Sequence, residues 1–360
     1  MCIFPASRQG SAAGNFKIEI IHQPDYHLAG MQPQYRLQFD AISLLRDHPP
    51  YFRNANKDLL FNLAYPDRRP APAMLEVTRW PKISPVEPIA ISPTLIDLRP
   101  GFFDYQPAAD PQTTLEWHVN FADPNLFYGY SSGLFAQDEM QVAEHPLLAS
   151  VRQALLDKRL EVRTTDRAGA APVLVRNVER RLSIATHPDP TTGRPHGLYG
   201  NRFATAPADA VRKAASRIDP PTFSNIIAMA APAGGFGAYT PQQIDGIFLT
   251  AHTAFAAAVH ESTQGDQTTR QTLIHSGFWG CGAFGGNRHL MIAVQLIAAR
   301  VAGVSKLVLH VGDNHGMESA RQSLDITEQL VQSRGPTSSR TQLIQAIAQL
   351  GLRWGTSDGN

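Results

Sequence analysis

After residue 112 the chain settles into a regular alternation, and that alternation limits its fold more than any other feature. TTLEWHVNFA, PVLVRNVERRLSIAT, SNIIAMAAPA, QTLIHSG and KLVLHVGD are rich in β-branched and aromatic residues and read as strands. Between and after them, PADAVRKAASRI, TPQQIDGIFLTAHTAFAAAVHES, NRHLMIAVQLIAARVAG and RTQLIQAIAQL carry apolar residues at helical spacing, and HPLLASVRQALLDKRLEV reads as a helix running into a strand. Strands alternating with helices predict an α/β fold, a sheet covered by helices on both faces. Ligands of such sheets sit in the loops at strand ends, so chemistry-bearing residues are sought there.

The preceding stretch is different. YRLQFDAISLLRDH and NKDLLFNLAY have helical spacing, but RRPAPA and RWPKISPVEPIAISP are broken by prolines, which lack a donor and restrict their neighbours. The expected organisation is an accessory extension over residues 1–110 packed on a main domain over 111–360. At 43% hydrophobic and 18% charged residues, the chain can build a sizeable core. A net charge of +1 provides no basic field for a nucleic-acid backbone, so nucleic acid is not an expected partner. The only cysteines, Cys2 and Cys281, cannot form a disulfide framework, and a reducing compartment is the simpler expectation. With no signal-like start and no run of membrane-spanning length, the expectation is a cytoplasmic protein with no membrane partner.

Two stretches carry chemistry. In VNFADPNLFYGYSSGLFAQDEM, the adjacent acids Asp138 and Glu139 follow a loop containing Gly129, Ser131, Ser132 and Gly133. Acids in a first helical turn complement the helix dipole, and paired carboxylates can also divide acid/base and positioning roles; both readings stand on the residues alone. In GFWGCGAFGGN, Gly280, Gly282 and Gly285 satisfy G-x-G-x-x-G between a strand and a helix. That is either a phosphate cradle, as in a dinucleotide-binding Rossmann domain, or a tight helix–strand turn. Only 47 residues follow Asp313, the acid closing the next strand, so a Rossmann domain would have too little chain left. The thirteen histidines show no metal-ligand spacing, and neither a metal nor a cofactor is expected. GGFGAY places Phe236 and Tyr239 as an aromatic lid or as core residues.

Together the two stretches resemble the catalytic domain of poly(ADP-ribose) glycohydrolase, whose strand reads roughly V-D-F-A-N, followed by a glycine triplet and Q-E-E. Val119, Phe121 and Ala122 match the strand, and Gln137, Asp138 and Glu139 fall on Q-E-E without a gap. The family's G-N-W-G-C-G-A-F-G-G-D is matched by Gly277, Trp279, Gly280, Cys281, Gly282, Ala283, Phe284, Gly285 and Gly286. The resemblance spans roughly residues 110 to 315, is specific in these two blocks, and implies a macrodomain-like three-layer α/β/α fold with a mixed sheet.

By that resemblance, Glu139 takes the place of the essential catalytic glutamate and Asp138 that of the acid before it. Gly282, Ala283 and Phe284, flanked by Gly280 and Cys281, fall where the diphosphate binds. Asn120 and Asp123 stand near the ribose of the scissile bond, and Asp110 about where the family has an adenine-binding acid. The chain also departs from the pattern. Phe127 and Tyr128 replace two triplet glycines, Phe278 replaces an asparagine, and Val311 replaces the phenylalanine that stacks on adenine. Bulky rings beside the ribose and an added acid at Asp123 point to the arginine-specific branch, which removes single ADP-ribose units from modified protein. The expected partners are therefore ADP-ribose and an ADP-ribosylated protein. Polymer cleavage, a non-catalytic ADP-ribose reader and an NAD-dependent oxidoreductase are the alternatives.

Overall fold

The strand expected around TTLEWHVNFA forms over Thr114–Phe121 in the interior of a sheet, with Trp117 and Val119 fully buried. The computed structural model describes residues 31–107, 110, 112–263, 270–333 and 337–359, so Cys2 and the expected extension up to residue 30 lie outside the described residues. The described strands and helices all belong to the unit Gln32–Asn360. In chain order its main strands are β1 (Tyr35–Asp40), β2 (Met74–Arg79), β3 (Leu95–Arg99), β4 (Thr114–Phe121), β5 (Val173–Ile184), β6 (Ala215–Met229), β7 (Gln271–Gly277) and β8 (Lys306–His310). Among the described residues these form one eight-stranded sheet in the order β1-β2-β5-β6-β4-β7-β8-β3. Neighbours from β1 through β2 and β5 to β6 are antiparallel; those from β6 through β4, β7 and β8 to β3 are parallel.

The helices are α1 (Ala41–Asp47), α2 (Ala55–Ala64), α3 (Gln137–Glu144), α4 (Leu147–Asp157), α5 (Ala208–Ala214), α6 (Pro241–Thr263), α7 (Arg288–Ala302), α8 (Asn314–Gln332) and α9 (Arg340–Gln349). Strand side chains alternate between faces, and here both sets are buried. Val173, Val175, Ile226 and Ala228 join the core made with α1, α2, α4 and α5, whereas Leu174, Ile227 and Met229, equally buried, do not belong to it. On the other side α6 packs against β6, β7, α7 and α9. The result is the expected three-layer α/β/α arrangement around a mixed sheet.

Several local expectations change. YRLQFDAISLLRDH is a strand and then a helix, because Tyr35, Leu37 and Phe39 alternate and Asp40 caps α1 through Ser43 N at 2.9 Å. The segment before residue 111 is not merely laid on the core, since β1, β2 and β3 are strands of the common sheet. The strand expected after α4 does not form, and PVLVRNVERRLSIAT is one long strand with two register shifts. α8, which the strand–helix pattern did not include, begins at Asp313, whose carboxylate accepts from Gly316 N at 2.9 Å. No helix among the described residues is long and apolar enough to cross a membrane.

The start of α3 is fastened to the sheet by one side chain. Gln137 Oε1 accepts from Phe121 N at 2.7 Å and Gln137 Nε2 donates to Val119 O at 3.1 Å, continuing the ladder of β4. The far end of α3 is held by Glu144, which accepts from Arg180 Nε and Ile184 N, each at 3.0 Å. Gln137→Met keeps the side-chain length but abandons both backbone partners. It should destabilise the protein by about 1–3 kcal/mol, read as a lower urea midpoint at unchanged slope.

Candidate functional site

Because β6, β4, β7 and β8 are parallel neighbours, their C-terminal ends lie side by side. The loops at 122–136, 230–240, 278–287 and 311–313 gather there, as in other open α/β sheets that bind ligands. Asn120 comes from the end of β4, Asp123 from the loop after it, and Gln137, Asp138 and Glu139 from the first turn of α3.

The two carboxylates have different surroundings. Glu139 Oε2 accepts from Ala136 N at 3.0 Å, half of a capping box whose other half is missing because Ala136 has no side-chain acceptor. Its second oxygen, Oε1, faces Gly129, and a Cβ added to Gly129 would collide with it. A side chain at position 129 would have to displace the Glu139 carboxylate. Asp138 Oδ1 accepts from Asn120 Nδ2 at 3.0 Å, while Asp138 Oδ2 and Asn120 Oδ1 are buried without a hydrogen bond of ordinary geometry, although the Asp123 backbone N–H acts on the Asp138 carboxyl. Burial, and next the charge of Glu139, pushes the Asp138 carboxyl up to about 8. Its neutral form is thereby favoured, and a protonated Asp138 can donate from Oδ2. Asp123 sits at the edge with Oδ1 accepting from Asn125 N at 2.7 Å.

The turn before α3 is strained. Phe127 has φ 53, a left-handed conformation that a bulky residue adopts at a cost of about 1 kcal/mol or more. That backbone angle sends its ring into the core, where it is 0% exposed. The expected crowding of the ribose by two rings is corrected accordingly. Only Tyr128, 54% exposed and 5.6 Å from the Arg152 guanidinium, presents a ring on the surface of this loop.

The glycine loop follows β7. Gly280 and Gly285 take φ +74 and +67, and the amides of Cys281, Gly285 and Gly286 close internal turns, which do not use those of Gly282, Ala283 and Phe284. Burial pushes the Cys281 thiol up to about 12, so it packs as a small residue and is no nucleophile. Phe278 lies beneath the Arg288 guanidinium, 4.6 Å from its ring. Tyr239 is core: its hydroxyl accepts from Asn287 N at 3.0 Å and its ring stacks on Trp354. Phe236 is 95% exposed in the loop after β6, so the two aromatics of GGFGAY have separate fates.

Asp110 is not with these residues. It precedes β4, its oxygens held by Gln112 N and Thr113 Oγ1 at 3.1 and 2.7 Å. The strand's eight residues, roughly 25 Å, separate it from the loops at the other end. The acid at the near end is Asp104, which follows β3 and pairs with Arg99 at 3.6 Å.

Three residues carry no sequence signal that links them to this site, because they arrive from distant segments. Lys57, from α2, is 2% exposed, and its field of influence includes both Glu139 and Asp138. A Cβ on Gly282 would stand 3.9 Å from the Tyr199 hydroxyl, which burial and then Asp358 and Glu139 push up to about 12. It would stand 3.0 Å from Asp358 Oδ2, on a terminal segment bound to the loop through Ser357 Oγ to Ala283 O at 2.7 Å and Gly355 N to Gly285 O at 2.9 Å. Of the scattered histidines, His118, His275 and His310 meet on adjacent strands, His118 stacked on His275 at 4.4 Å, and burial holds His118 well below its usual range.

Residues 199–318 match the family model described as Poly (ADP-ribose) glycohydrolase (PARG), Macro domain fold. The matched segment is of the macro domain fold and holds the glycine loop and Tyr199, but begins after Asp138 and Glu139. The chain is similar to the poly(ADP-ribose) glycohydrolase of Thermomonospora curvata, at 16% identity and TM-score 0.43 over 80% of this chain and 85% of that one. It is also similar to the Deinococcus radiodurans poly(ADP-ribose) glycohydrolase in complex with ADP-ribose, at 16% identity and TM-score 0.42 over 86% and 100%. No curated protein matches the sequence.

The buried acid makes a pH-dependent contribution to stability. A carboxyl raised from 3.8 to about 8 on folding stabilises the protein while protonated in both states, and that contribution is lost as pH rises through this window. Asp138→Asn removes the titration. The variant should gain stability relative to the parent between those pH values, by at most about 1.4 kcal/mol per pH unit, in urea unfolding followed across pH.

Proposed function

We propose that this chain is an ADP-ribosyl glycohydrolase that removes ADP-ribose from modified protein. The observation that carries the reading is the division of labour at the start of α3. One oxygen of Glu139 caps the helix and the other faces the turn at Gly129, while the adjacent Asp138 keeps a buried oxygen without a hydrogen bond of ordinary geometry. Cleaving a ribosyl bond passes through an oxocarbenium-like state. In this reading Glu139 handles the leaving atom and the incoming water, and Asp138, in its neutral form, donates to a ribose hydroxyl. The backbone of Gly282, Ala283 and Phe284 offers the diphosphate donors at a point where no side chain intervenes. The solved relative in complex with ADP-ribose and the family's description are consistent with this ligand class.

For the acceptor we favour arginine-linked mono-ADP-ribose. Asp123 and Glu139 supply the negative charge that suits a guanidinium. With Phe127 turned into the core, the steric case against polymer rests on Tyr128 alone, and poly(ADP-ribose) is the second reading. A passive reader would have no use for two carboxyls buried at such cost. An oxidoreductase would need Asp313 for a ribose, yet its carboxylate caps α8.

Glu139→Gln is the decisive variant, because an amide oxygen still accepts from Ala136 N and the cap survives. Release of ADP-ribose from modified protein should fall at least 100-fold, with ADP-ribose affinity in calorimetry within a few fold. Near-normal release would remove the catalytic assignment. Asp358 also bears on the ligand, since its carboxylate stands beside the proposed diphosphate position. Asp358→Asn should tighten ADP-ribose binding severalfold through lost like-charge repulsion, and unchanged affinity would place the diphosphate elsewhere.

A further inference from the structure

Lys57 occupies a place where stability alone disfavours a lysine. It is in the first turn of α2, close to the N-cap Asn54, where the helix dipole opposes a cation, and it is 2% exposed. Its ammonium donates to a backbone carbonyl, Tyr130 O at 3.3 Å, and lies 5.2 and 5.8 Å from the ring centroids of Phe135 and Phe203. A methionine would fill the same apolar surroundings without desolvating a charge. Burial holds the lysine down to about 8, and the two groups that oppose this are Glu139 and Asp138. Tyr130 in turn belongs to the Tyr128–Ser131 turn, whose Gly129 abuts the Glu139 carboxylate.

We propose that Lys57 is a positioning residue for the acid pair: its ammonium anchors the turn that presses Gly129 on Glu139, and its charge favours the ionised form of the pair. The inference rests on the reading of Asp138 and Glu139 as the reacting acids. From α3 the charges of those two carboxyls act on the lysine, and from the turn the Tyr130 carbonyl accepts from it; Phe135 and Phe203 supply only rings. The other charged groups around the pair are Asp123 beside Asp138, Arg152 of α4 within range of Asp138, and Tyr199 within range of Glu139. Arg152 donates to Leu126 O, so it is committed to the preceding loop. Two cations are bonded to the turn that touches Glu139: Arg53, whose Nε donates to Ser131 Oγ at 3.2 Å, and Lys57, the one of the two whose charge acts on both acids.

The test is a carboxyl-carbon NMR titration of Asp138 and Glu139 in the parent, Lys57→Met and Lys57→Arg. Losing a nearby cation favours the neutral carboxyls, so in Lys57→Met the titration of the pair should move up by about one pH unit or more. Lys57→Arg should restore most of that shift, and the acidic limb of the kcat profile should move in parallel. A purely structural lysine would lower the melting temperature while leaving the titration in place, and coincident titrations in Lys57→Met and the parent would overturn the proposal. Should Lys57→Met fail to fold, the reciprocal measurement decides. Glu139→Gln removes a carboxylate that favours the ammonium, so the Lys57 side chain should titrate at lower pH than in the parent; an unchanged Lys57 titration refutes the coupling. Absence of ADP-ribose release by the parent would defeat the glycohydrolase reading, whereas these titrations would still answer for Lys57.

Discussion

Gln137 extends the hydrogen-bond ladder of β4 past its last residues, and the geometry of the candidate site depends on that extension. By accepting from Phe121 N and donating to Val119 O, its amide fixes the first turn of α3 to a buried strand. The next two residues, Asp138 and Glu139, inherit their positions from it. A helix start held only by solvent-exposed caps would fray; this one is part of the sheet's own network. The far end is held as firmly, because Glu144 is buried against Arg180 and the backbone of Ile184. Side chains on an element anchored at both ends are held with the precision that catalysis demands.

The same region concentrates the local costs of the fold. A phenylalanine adopts a left-handed backbone, a carboxyl is buried with one oxygen lacking a hydrogen bond of ordinary geometry, and an ammonium is buried in the first turn of a helix. Each is unfavourable by itself, and all three lie in the turn before α3, in the first turn of α3 or bonded to the turn before it. Opposite charges offset part of the burden, since the charge of Lys57 acts on the very acids whose burial is costly. Strain and desolvation gathered in one place, beneath a glycine loop at the ends of parallel strands, are what a ligand-binding and reacting site looks like physically.

How much of this was legible in the sequence depended on range. The strand–helix alternation and the Gln137–Asp138–Glu139 turn are local patterns, and both stand where they were expected. Direction within an element was less accessible. Asp110 is ten residues from Asn120 in sequence, but a strand converts that separation into the full height of the sheet. The direction of the Phe127 ring turns on a positive φ that composition does not announce. The polar face of α8 concealed a long helix, and Tyr35–Asp40 mixed strand alternation with the helical pattern after it. Lys57, Tyr199 and Asp358 were invisible for a simpler reason: they reach the site from segments remote in sequence, and nothing in a single chain without its fold pairs them with Glu139 or Gly282.

The central claim is that ADP-ribose lies across the C-terminal ends of β6, β4, β7 and β8 with its distal ribose at Glu139. A crystal structure of the Glu139→Gln variant with ADP-ribose would examine this most directly. The diphosphate should lie within hydrogen-bond distance of the Gly282–Phe284 amides, and the distal ribose within reach of residues 138 and 139. A ligand bound at the opposite end of the sheet, or with its adenine at the start of α3, would contradict the assignment of these residues.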